Sequence, residues 1–252
     1  MGKNAMRNIL KSIVQFYLRL FTRIALWRHR PFVIAVAGST NKTPTKEYIL
    51  KFLREKYGEH EVRGNPRSYN TEIGLPLAIL YLESGESSPW KWLKILVSAK
   101  WKAFFERKFP KKLVLELGVD RKGDMKYLLG IVTPQIAVIT NIEGNYSDAD
   151  NNLEQIFEEF KVLVGSIPTD GTVVLNHDDE RVALLQQEAK AKVITYGFSE
   201  KADAKITDLK TGIEGQNFEF SFRGQNEKVE IKKYGRHFVY AWAIAKIIKS
   251  IL

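Results

Sequence analysis

Cysteine is absent from this chain of 252 residues. Without a thiol, the protein has no disulfide framework, no thiolate nucleophile and no cysteine-ligated zinc or iron–sulfur centre. This composition is compatible with a reducing cytosol. Core-forming residues are plentiful, since 44% of the chain is hydrophobic and 12% aromatic. A chain of this length and composition can bury a sizeable core, so we expect it to be folded rather than disordered.

Acidic residues are missing from the first part of the chain, where the first one is Glu47. Nine lysines or arginines precede it, within a formal net charge of +10, so we expect the N-terminus to seek a negative surface. Apolar residues between Ile9 and Trp27 recur at helical spacing, with Lys11, Arg19 and Arg23 opposite them. This pattern predicts a basic amphipathic helix in residues 1–30, followed by one domain in residues 31–252.

Long apolar runs are also lacking, because basic residues interrupt every N-terminal window that would span a bilayer. No small-residue cleavage site follows, so a secretory signal does not fit either. The helix is expected to lie in a membrane interface or, alternatively, to dock its apolar stripe on the following domain.

Residues 90–112 have a similar character, with eight lysines or arginines against the single Glu106. Their apolar residues also follow a helical period. Together the two basic helices predict a patch for an anionic membrane surface. Nucleic acid is the weaker alternative as a partner, because no recognisable nucleic-acid motif accompanies these charges. We therefore expect a cytoplasmic protein bound peripherally to the inner face of the membrane.

Short β-branched runs alternate with helical stretches after Pro31. Continuous apolar strands such as 113–117 and 136–139 indicate burial on both faces, as in a parallel sheet. The predicted fold class is therefore α/β, doubly wound, with a mostly parallel sheet. Between residues 203 and 233 the pattern changes to apolar–polar alternation with a turn near 223–226, which predicts a small antiparallel addition. A last helix is expected over 236–251.

The most informative stretch is residues 38–43, G-S-T-N-K-T, between the first predicted strand and its helix. Such a turn points backbone N–H groups and the positive end of a helix at one place, which suits a polyphosphate. Lys42 would then reach the terminal phosphates and Thr43 would bind Mg²⁺. The strict pattern G-x-x-x-x-G-K-(S/T) fails at Val36 and Asn41, so an ordinary strand–loop–helix connection is the alternative. Asparagine tolerates positive φ at position 41, although its side chain can crowd a phosphate.

The loop resembles that of the Mur ligase family, G-(S/T)-x-G-K-T, everywhere except at Asn41. Residues 70–76, N-T-E-I-G-L-P, resemble the family's substrate-side segment and are closest to the subfamily that adds D-alanyl-D-alanine to a UDP-muramoyl tripeptide. Glu116 ends a buried strand where the family has a Mg²⁺-binding carboxylate. Segments at 140–142, 168–179, 196–197 and 235–237 follow in the family's order, so the similarity to the central ATP-binding domain covers about residues 31–245.

The resemblance implies ATP-dependent activation of a carboxylate as an acyl phosphate, followed by amide formation in peptidoglycan precursor synthesis. It implies ATP and Mg²⁺ as cofactors and a UDP-linked muramoyl peptide as a partner. Lys42 would be catalytic, Thr43 and Glu116 would hold the metal, and Asn70 and Glu72 would bind substrate. The residues expected to bind the nucleotide are Gly38, Ser39, Thr40, Asn41, Lys42, Thr43, Thr45, Asn176, Asp179 and His237.

Several positions depart from the family pattern. Tyr146 stands where the family has a metal-binding histidine, and a phenol with a pKa of about 10 is a poor Mg²⁺ ligand. Phe160 stands where the family has a carbamylated lysine. Lys161 follows one residue later, where a helix turns its side chain away by about 100°. On the adenine side, Phe238 and Ala241 replace two asparagines.

The family's flanking domains, one for the UDP-sugar and one that closes over ATP, are not recognisable in this sequence. Three hypotheses follow, one of which is a basic binder of nucleic acid or anionic lipid with no nucleotide site. In another hypothesis the chain is a ligase, and a partner chain supplies those domains. The retained Lys42, Thr43 and Glu116 favour this hypothesis. Alternatively, the chain is a catalytically degenerate nucleotide-binding scaffold at the cytoplasmic membrane face, as Asn41, Tyr146 and Phe160 favour.

Overall fold

Nine strands form one sheet in the part of the chain that the structure, a computed structural model, describes: residues 2–66, 69–86, 88–144 and 149–252. The strand order is β2-β3-β1-β4-β5-β6-β7-β8-β9. The strands are β1 Phe32–Ala37, β2 Val62–Gly64, β3 Lys112–Glu116, β4 Ile136–Ile139, β5 Thr172–Asn176, β6 Lys192–Gly197, β7 Ala204–Gly212, β8 Gly215–Phe222 and β9 Gln225–Ile231.

Every strand pair from β2 to β7 is parallel, whereas β7, β8 and β9 pair antiparallel. The predicted mostly parallel sheet with an antiparallel addition is thus confirmed. The addition continues the main sheet through the parallel contact of β6 with β7.

Helices cover both faces of the sheet. They are α1 Gly2–His29, α2 Lys42–Tyr57, α3 Gly74–Leu80, α4 Pro89–Phe105, α5 Asp124–Leu129, α6 Ala149–Ser166, α7 Glu180–Leu184 and α8 Arg236–Ile251. Side chains of β1 alternate between two cores: Ile34 and Val36 pack with α2 and α8, while Val33 and Ala35 pack with the α3, α5 and α6 side. This is the doubly wound arrangement that the continuous apolar strands predicted.

The N-terminal helix α1 packs against α3 and α4 through Leu18, Phe21 and Ala25. The alternative that this helix docks on the following domain is therefore correct for one face. That face overlaps the predicted stripe only in part, since Val14, Phe21 and Ile24 of the stripe pack there, whereas Leu20 and Trp27 are exposed. Among the helices that the structure describes, none combines the length and apolar character needed to cross a bilayer.

The order of the strands reverses beside β1, since β3 lies on one side of it and β4 on the other. In doubly wound folds the carboxyl ends of the strands at such a reversal form a crevice that binds ligands. The loop after β1 and Glu116, the last residue of β3, both lie at this edge. The fold thus brings the predicted site residues of separate segments to one edge of the sheet.

Candidate nucleotide site

The loop between β1 and α2 adopts the backbone that its sequence requires. Gly38 has φ of 147°, and a Cβ at this position would collide with the hydroxyl of Thr140. Asn41 lies in the left-handed region, with φ of 63° and ψ of 7°, and it is the N-cap residue of α2. Asparagine is one of the few non-glycine residues that adopt this conformation readily. The backbone explains why asparagine can replace the family's glycine here.

The loop amides divide into two sets. Ser39 N donates to the carbonyl of Asn141 at 3.0 Å, and Thr40 N donates to Asn141 Oδ1 at 2.9 Å. The amides of Asn41, Lys42 and Thr43 donate to no protein group in the part of the chain described here. They lie at the N-terminus of the 16-residue helix α2, where the helix dipole favours an anion. The loop therefore presents three free N–H groups, fewer than its sequence suggests.

Lys42 closes over the loop that carries it. Its ammonium donates to the carbonyls of Gly38 at 2.6 Å and Ser39 at 3.0 Å. Burial lowers the pKa of Lys42, while the nearby carboxylates of Glu116 and Asp120 oppose that shift. A phosphate at the free amides would lie within reach of this ammonium, which is held in place before a ligand arrives.

Thr43 and Glu116 meet as predicted. The Thr43 hydroxyl donates to Glu116 Oε2 at 3.2 Å, although 73 residues separate them in the chain. Thr43 lies in the first turn of α2, and Glu116 is the last residue of the neighbouring strand β3. A hydroxyl and a carboxylate are both oxygen ligands of the kind Mg²⁺ prefers.

Lys46 forms an ion pair with the second carboxylate oxygen of Glu116, and the sequence patterns did not single this lysine out. Its ammonium lies 3.0 Å from Glu116 Oε1 and donates to the carbonyl of Asn65 at 2.5 Å. Lys46 is only 1% exposed and Glu116 only 4%. A charge this deeply buried requires a partner. Its position, one helical turn after Lys42 on the helix that follows the loop, was a signal available in the sequence.

Asn65 fixes the backbone of the same glutamate. Its Oδ1 accepts from Glu116 N at 2.8 Å, and its Nδ2 donates to Glu116 O at 3.2 Å. Sequence reasoning missed this residue too, because nothing in its neighbourhood marks it. Together, Lys46 and Asn65 leave Glu116 Oε2 directed at Thr43.

The segment Thr140–Ile142 after β4 clamps the loop from the other side. The Thr140 hydroxyl donates to Thr40 O at 2.7 Å, and Asn141 Nδ2 donates to Thr40 Oγ1 at 2.7 Å. Asn141 therefore holds both the backbone and the side chain of the loop. The loop is a rigid turn rather than a loose connection.

A cavity of about 200 Å³ opens beside the loop, on the side of α8. Of the predicted nucleotide residues, Asn41, Thr45, Asn176 and Asp179 line it. The other lining residues are Thr140, Asn141, Glu143, Asp178, Tyr196, Tyr240 and Ile244.

Two of the predicted lining residues also have structural partners. Asp179 caps α7 by accepting from Val182 N at 3.0 Å and accepts from Ile142 N at 2.8 Å. Asn176 donates to Thr140 O at 2.9 Å. These bonds explain both residues as supports of the cavity wall, whatever they contact in a ligand.

Asp178 and Tyr240 are cavity residues that the sequence did not single out. The Tyr240 hydroxyl donates to Asp178 Oδ2 at 2.8 Å. Burial, and then this hydrogen bond, raise the pKa of Tyr240. Complete burial raises the pKa of Tyr196 well above its ordinary value. Both phenols stay neutral at physiological pH and provide the aromatic surface of a cavity wall that is otherwise mostly polar.

The comparisons with known proteins agree with this geometry. The family model described as the Mur ligase middle domain matches residues 98–248. The chain belongs to the Mur ligase family. The predicted resemblance is confirmed.

Curated relatives in the family include two UDP-N-acetylmuramoyl-tripeptide–D-alanyl-D-alanine ligases. The Bacillus subtilis protein is 28% identical over 205 residues, which cover 81% of this chain and 38% of the relative. The Synechocystis protein is 30% identical over 196 residues, 75% of this chain and 37% of the relative. This chain thus spans under two fifths of the length of the curated relatives it matches.

Solved structures show the same fold. MurF ligase from Thermotoga maritima in complex with ADP has a TM-score of 0.73 at 22% identity, covering 94% of this chain and 49% of that one. The corresponding ligase from Acinetobacter baumannii also has a TM-score of 0.73, at 19% identity, covering 94% of this chain and 47% of that one.

Besides Asn41 in the loop, one position that departs from the Mur ligase pattern lies on α6. Phe160 is 2% exposed and packs in the core with Leu163 and Val164. Lys161 instead pairs with Glu158 at 3.1 Å and Glu188 at 3.5 Å on the surface. The expectation that Lys161 points away from the site is confirmed. Tyr146 lies outside the described residues.

Three further predicted residues lie away from the cavity lining. The ring of His237 lies against that of Phe238, with 4.2 Å between ring centroids and a tilt of 41° between their planes. Asn70 accepts from Gly118 N at 3.0 Å through its carbonyl, so it lies just beyond the end of β3. Glu72 accepts from Gln15 of α1 at 3.4 Å. The ligand roles of these three residues stay predictions.

Proposed function

We propose that this protein binds ATP with Mg²⁺ and acts as an acid–amino acid ligase of the Mur type, in peptidoglycan precursor synthesis. The observation that carries the proposal is the 3.2 Å contact between the Thr43 hydroxyl and Glu116 Oε2 beside the loop after β1. The loop supplies amides and an ammonium, and the contact supplies two metal ligands. Phosphoryl transfer relies on this combination of positioning and electrostatic stabilisation.

The phosphates would lie at the free amides of Asn41, Lys42 and Thr43, and Lys42 would exchange its loop carbonyls for phosphate oxygens. We assign the nucleoside to the neighbouring cavity, where Thr45 and Asn176 offer hydrogen bonds and Tyr196 and Tyr240 offer aromatic surface. His237 is a further proposed contact of the nucleotide, although it does not line this cavity.

The donor set fits a magnesium ion that arrives with the nucleotide. Mg²⁺ usually keeps several waters and binds proteins through one or two carboxylates together with phosphates. Here Glu116 and Thr43 supply one carboxylate and one hydroxyl, and the described residues hold no cluster of three acidic or histidine side chains. When bound, the ion would neutralise charge on the transferring phosphates.

We assign the carboxylate substrate to the side of Asn70 and Glu72, by analogy with relatives named for a UDP-N-acetylmuramoyl tripeptide. In this assignment the substrate carboxylate attacks the terminal phosphate to give an acyl phosphate and ADP. An amine then displaces phosphate to form the amide. A cytoplasmic location follows from these substrates, and a partner chain that contributes further substrate-binding domains is part of the same proposal.

Calorimetry tests the nucleotide site. We expect Mg²⁺-ATP to bind the native chain. Its affinity for Lys42→Ala should be lower by about tenfold or more, because the variant loses a hydrogen bond from a charged group. Lys161→Ala, a surface lysine on α6, is the matched control and should bind as the native chain does. Mg²⁺ alone should give no comparable heat. Equal heats of Mg²⁺-ATP binding for the native chain and Lys42→Ala would show that the loop after β1 does not bind the nucleotide.

A degenerate nucleotide-binding scaffold at the cytoplasmic membrane face is the second candidate. The burial of Phe160 favours it, because the family's lysine position has become part of an apolar core. Phosphate release with muramoyl peptide and amino-acid acceptors separates the two. Binding without turnover, even after candidate partner chains are added, supports the scaffold, whereas acceptor-dependent phosphate release supports the ligase.

A further inference from the structure

Helix α1 has two apolar faces, and only one of them is covered. Leu18, Phe21 and Ala25 dock on α3 and α4. The opposite face carries Phe16, which is 62% exposed, and Trp27, which is 72% exposed. Ile13 and Leu20, three residues before and four residues after Phe16, lie on this outer face too, and Tyr17 lies at its edge, where its ring stacks on Phe21.

Helix α4 repeats this arrangement. Ala99 and Ala103 are fully buried against α1 and α3. The outer stripe is large and aromatic, with Trp90 at 76%, Val97 at 63% and Trp101 at 58% exposure, and it also includes Leu93 and Phe104. Isolated exposed apolar residues are ordinary, but a continuous stripe on each of two adjacent helices marks an interaction surface.

The charge around these stripes has one sign. Neither Gly2–His29 nor Pro89–Phe105 contains an acidic residue. By helical spacing, Lys94 and Lys100 fall on either side of the α4 stripe, and Arg23 and Arg28 on either side of the α1 stripe. Within the described part of the chain, Arg23, Lys94 and Lys100 form no salt bridge. Their charges are therefore available to an external anion.

We propose that the outer faces of α1 and α4 form one docking surface for an anionic lipid bilayer. The aromatic and aliphatic side chains enter the interface, while the flanking lysines and arginines meet the lipid phosphates. Tryptophan is well suited to this depth, because its ring is apolar and its N–H is polar. A second copy of the chain is a poor occupant, since two basic faces would repel each other. This surface shares no residue with the nucleotide loop.

Flotation of the full chain with vesicles tests the surface. We expect binding to vesicles that contain phosphatidylglycerol, weak binding to pure phosphatidylcholine, and loss of binding as salt rises. Fluorescence of the exposed tryptophans should shift to shorter wavelength on the anionic vesicles. Replacing both Lys94 and Lys100 by glutamine should weaken binding roughly thirtyfold.

Val97→Glu and Ser98→Glu form a matched pair, because both add one negative charge to exposed, adjacent positions of α4. Ser98→Glu loses only electrostatic attraction, about fivefold, whereas Val97→Glu also puts a charge into the apolar stripe and should weaken binding at least tenfold further. Thermal melting and Mg²⁺-ATP calorimetry check that both variants remain folded.

Equal binding of Val97→Glu and Ser98→Glu, or equal binding to neutral and anionic vesicles at low salt, would overturn the proposal. A dimer that forms without vesicles and that Val97→Glu dissociates would also overturn it, because the surface would then be an interface between copies of the chain. Binding of the chain to an added acidic protein, but not to vesicles, would overturn it as well. Lys42→Ala should bind vesicles like the native chain. Failure of the nucleotide site and failure of the membrane surface are thus separate results.

Discussion

The two sides of the candidate site hold their charged residues very differently. On the loop side, Lys46 and Glu116 form a buried ion pair whose remaining groups are bonded to Asn65 and Thr43. On the α6 side, Phe160 has joined the core and Lys161 has turned to the surface.

This difference indicates what each side is for. A buried ion pair is expensive to desolvate and is a weak source of stability, so its retention points to a function of the charges themselves. An aromatic residue in a core needs no such explanation, because burial alone stabilises it. The loop side is therefore built to hold charge, and the α6 side is built to pack.

The largest expected effect comes from breaking the buried pair. Lys46→Met leaves the buried Glu116 without its charged partner and should lower the free energy of unfolding by about 3–5 kcal/mol. Urea denaturation measures this change. Lys161→Met breaks a surface pair on the α6 side and should change stability little. Adding Glu116→Leu to Lys46→Met should restore much of the loss. An unchanged midpoint for Lys46→Met would show that the pair is not buried as described.

Phe160→Ala should lower the free energy of unfolding by a similar amount and should leave nucleotide binding unchanged. Truncating a buried phenylalanine costs about 3–5 kcal/mol, because it leaves a cavity in the core. Mg²⁺-ATP affinity should stay within the error of calorimetry, since Phe160 lies among core side chains and not in the cavity lining. A large loss of affinity in a variant that still melts cooperatively would place this side chain in the nucleotide site.

Asn41 should show a smaller effect on the loop side. Asn41→Ala puts a residue with a Cβ and no compensating side chain in the left-handed conformation and should cost about 1–2 kcal/mol. Asn41→Gly, which restores the family's residue, should retain stability and bind Mg²⁺-ATP at least as tightly. Tighter binding by the glycine variant would show that the amide crowds the phosphate. Weaker binding would show that the amide contributes a ligand contact.

The smallest expected effect is the pH dependence of Lys42. Burial lowers its folded-state pKa below the ordinary 10.5, so the unfolded chain binds this proton more readily. Stability from this group therefore rises as pH climbs towards that value, and its penalty is present in full at neutral pH. Relative to Lys42→Met, the native chain should gain stability between neutral and alkaline pH.

Parallel denaturation of the two proteins measures this difference and cancels the contribution of the tyrosines. Their raised pKa values act in the opposite direction, reducing stability at alkaline pH in both proteins alike. A difference between native chain and variant that does not change with pH would contradict the depressed pKa of Lys42.

Much of the site was predictable because its residues lie next to recognisable elements. Asn41, Lys42 and Thr43 follow a buried strand, and Glu116 ends another, so parallel pairing brings them to one edge. The partners of these residues were harder to predict. The spacing of Lys46 from Lys42 was a usable signal, but nothing in the local sequence pattern of Asn65 indicates that its side chain meets Glu116.

The sequence by itself determined the alternation of strands and helices, the parallel sheet and the loop that presents amides and Lys42. Periodicity and turn composition are local, and they report these features directly. Only the tertiary structure decided three further features. Asn141 accepts hydrogen bonds from two loop amides, Lys46 pairs with Glu116, and one particular face of α1 packs against α3 and α4. These choices depend on contacts between residues distant in the chain, and a helix with apolar residues on two faces carries no local mark of which one is covered.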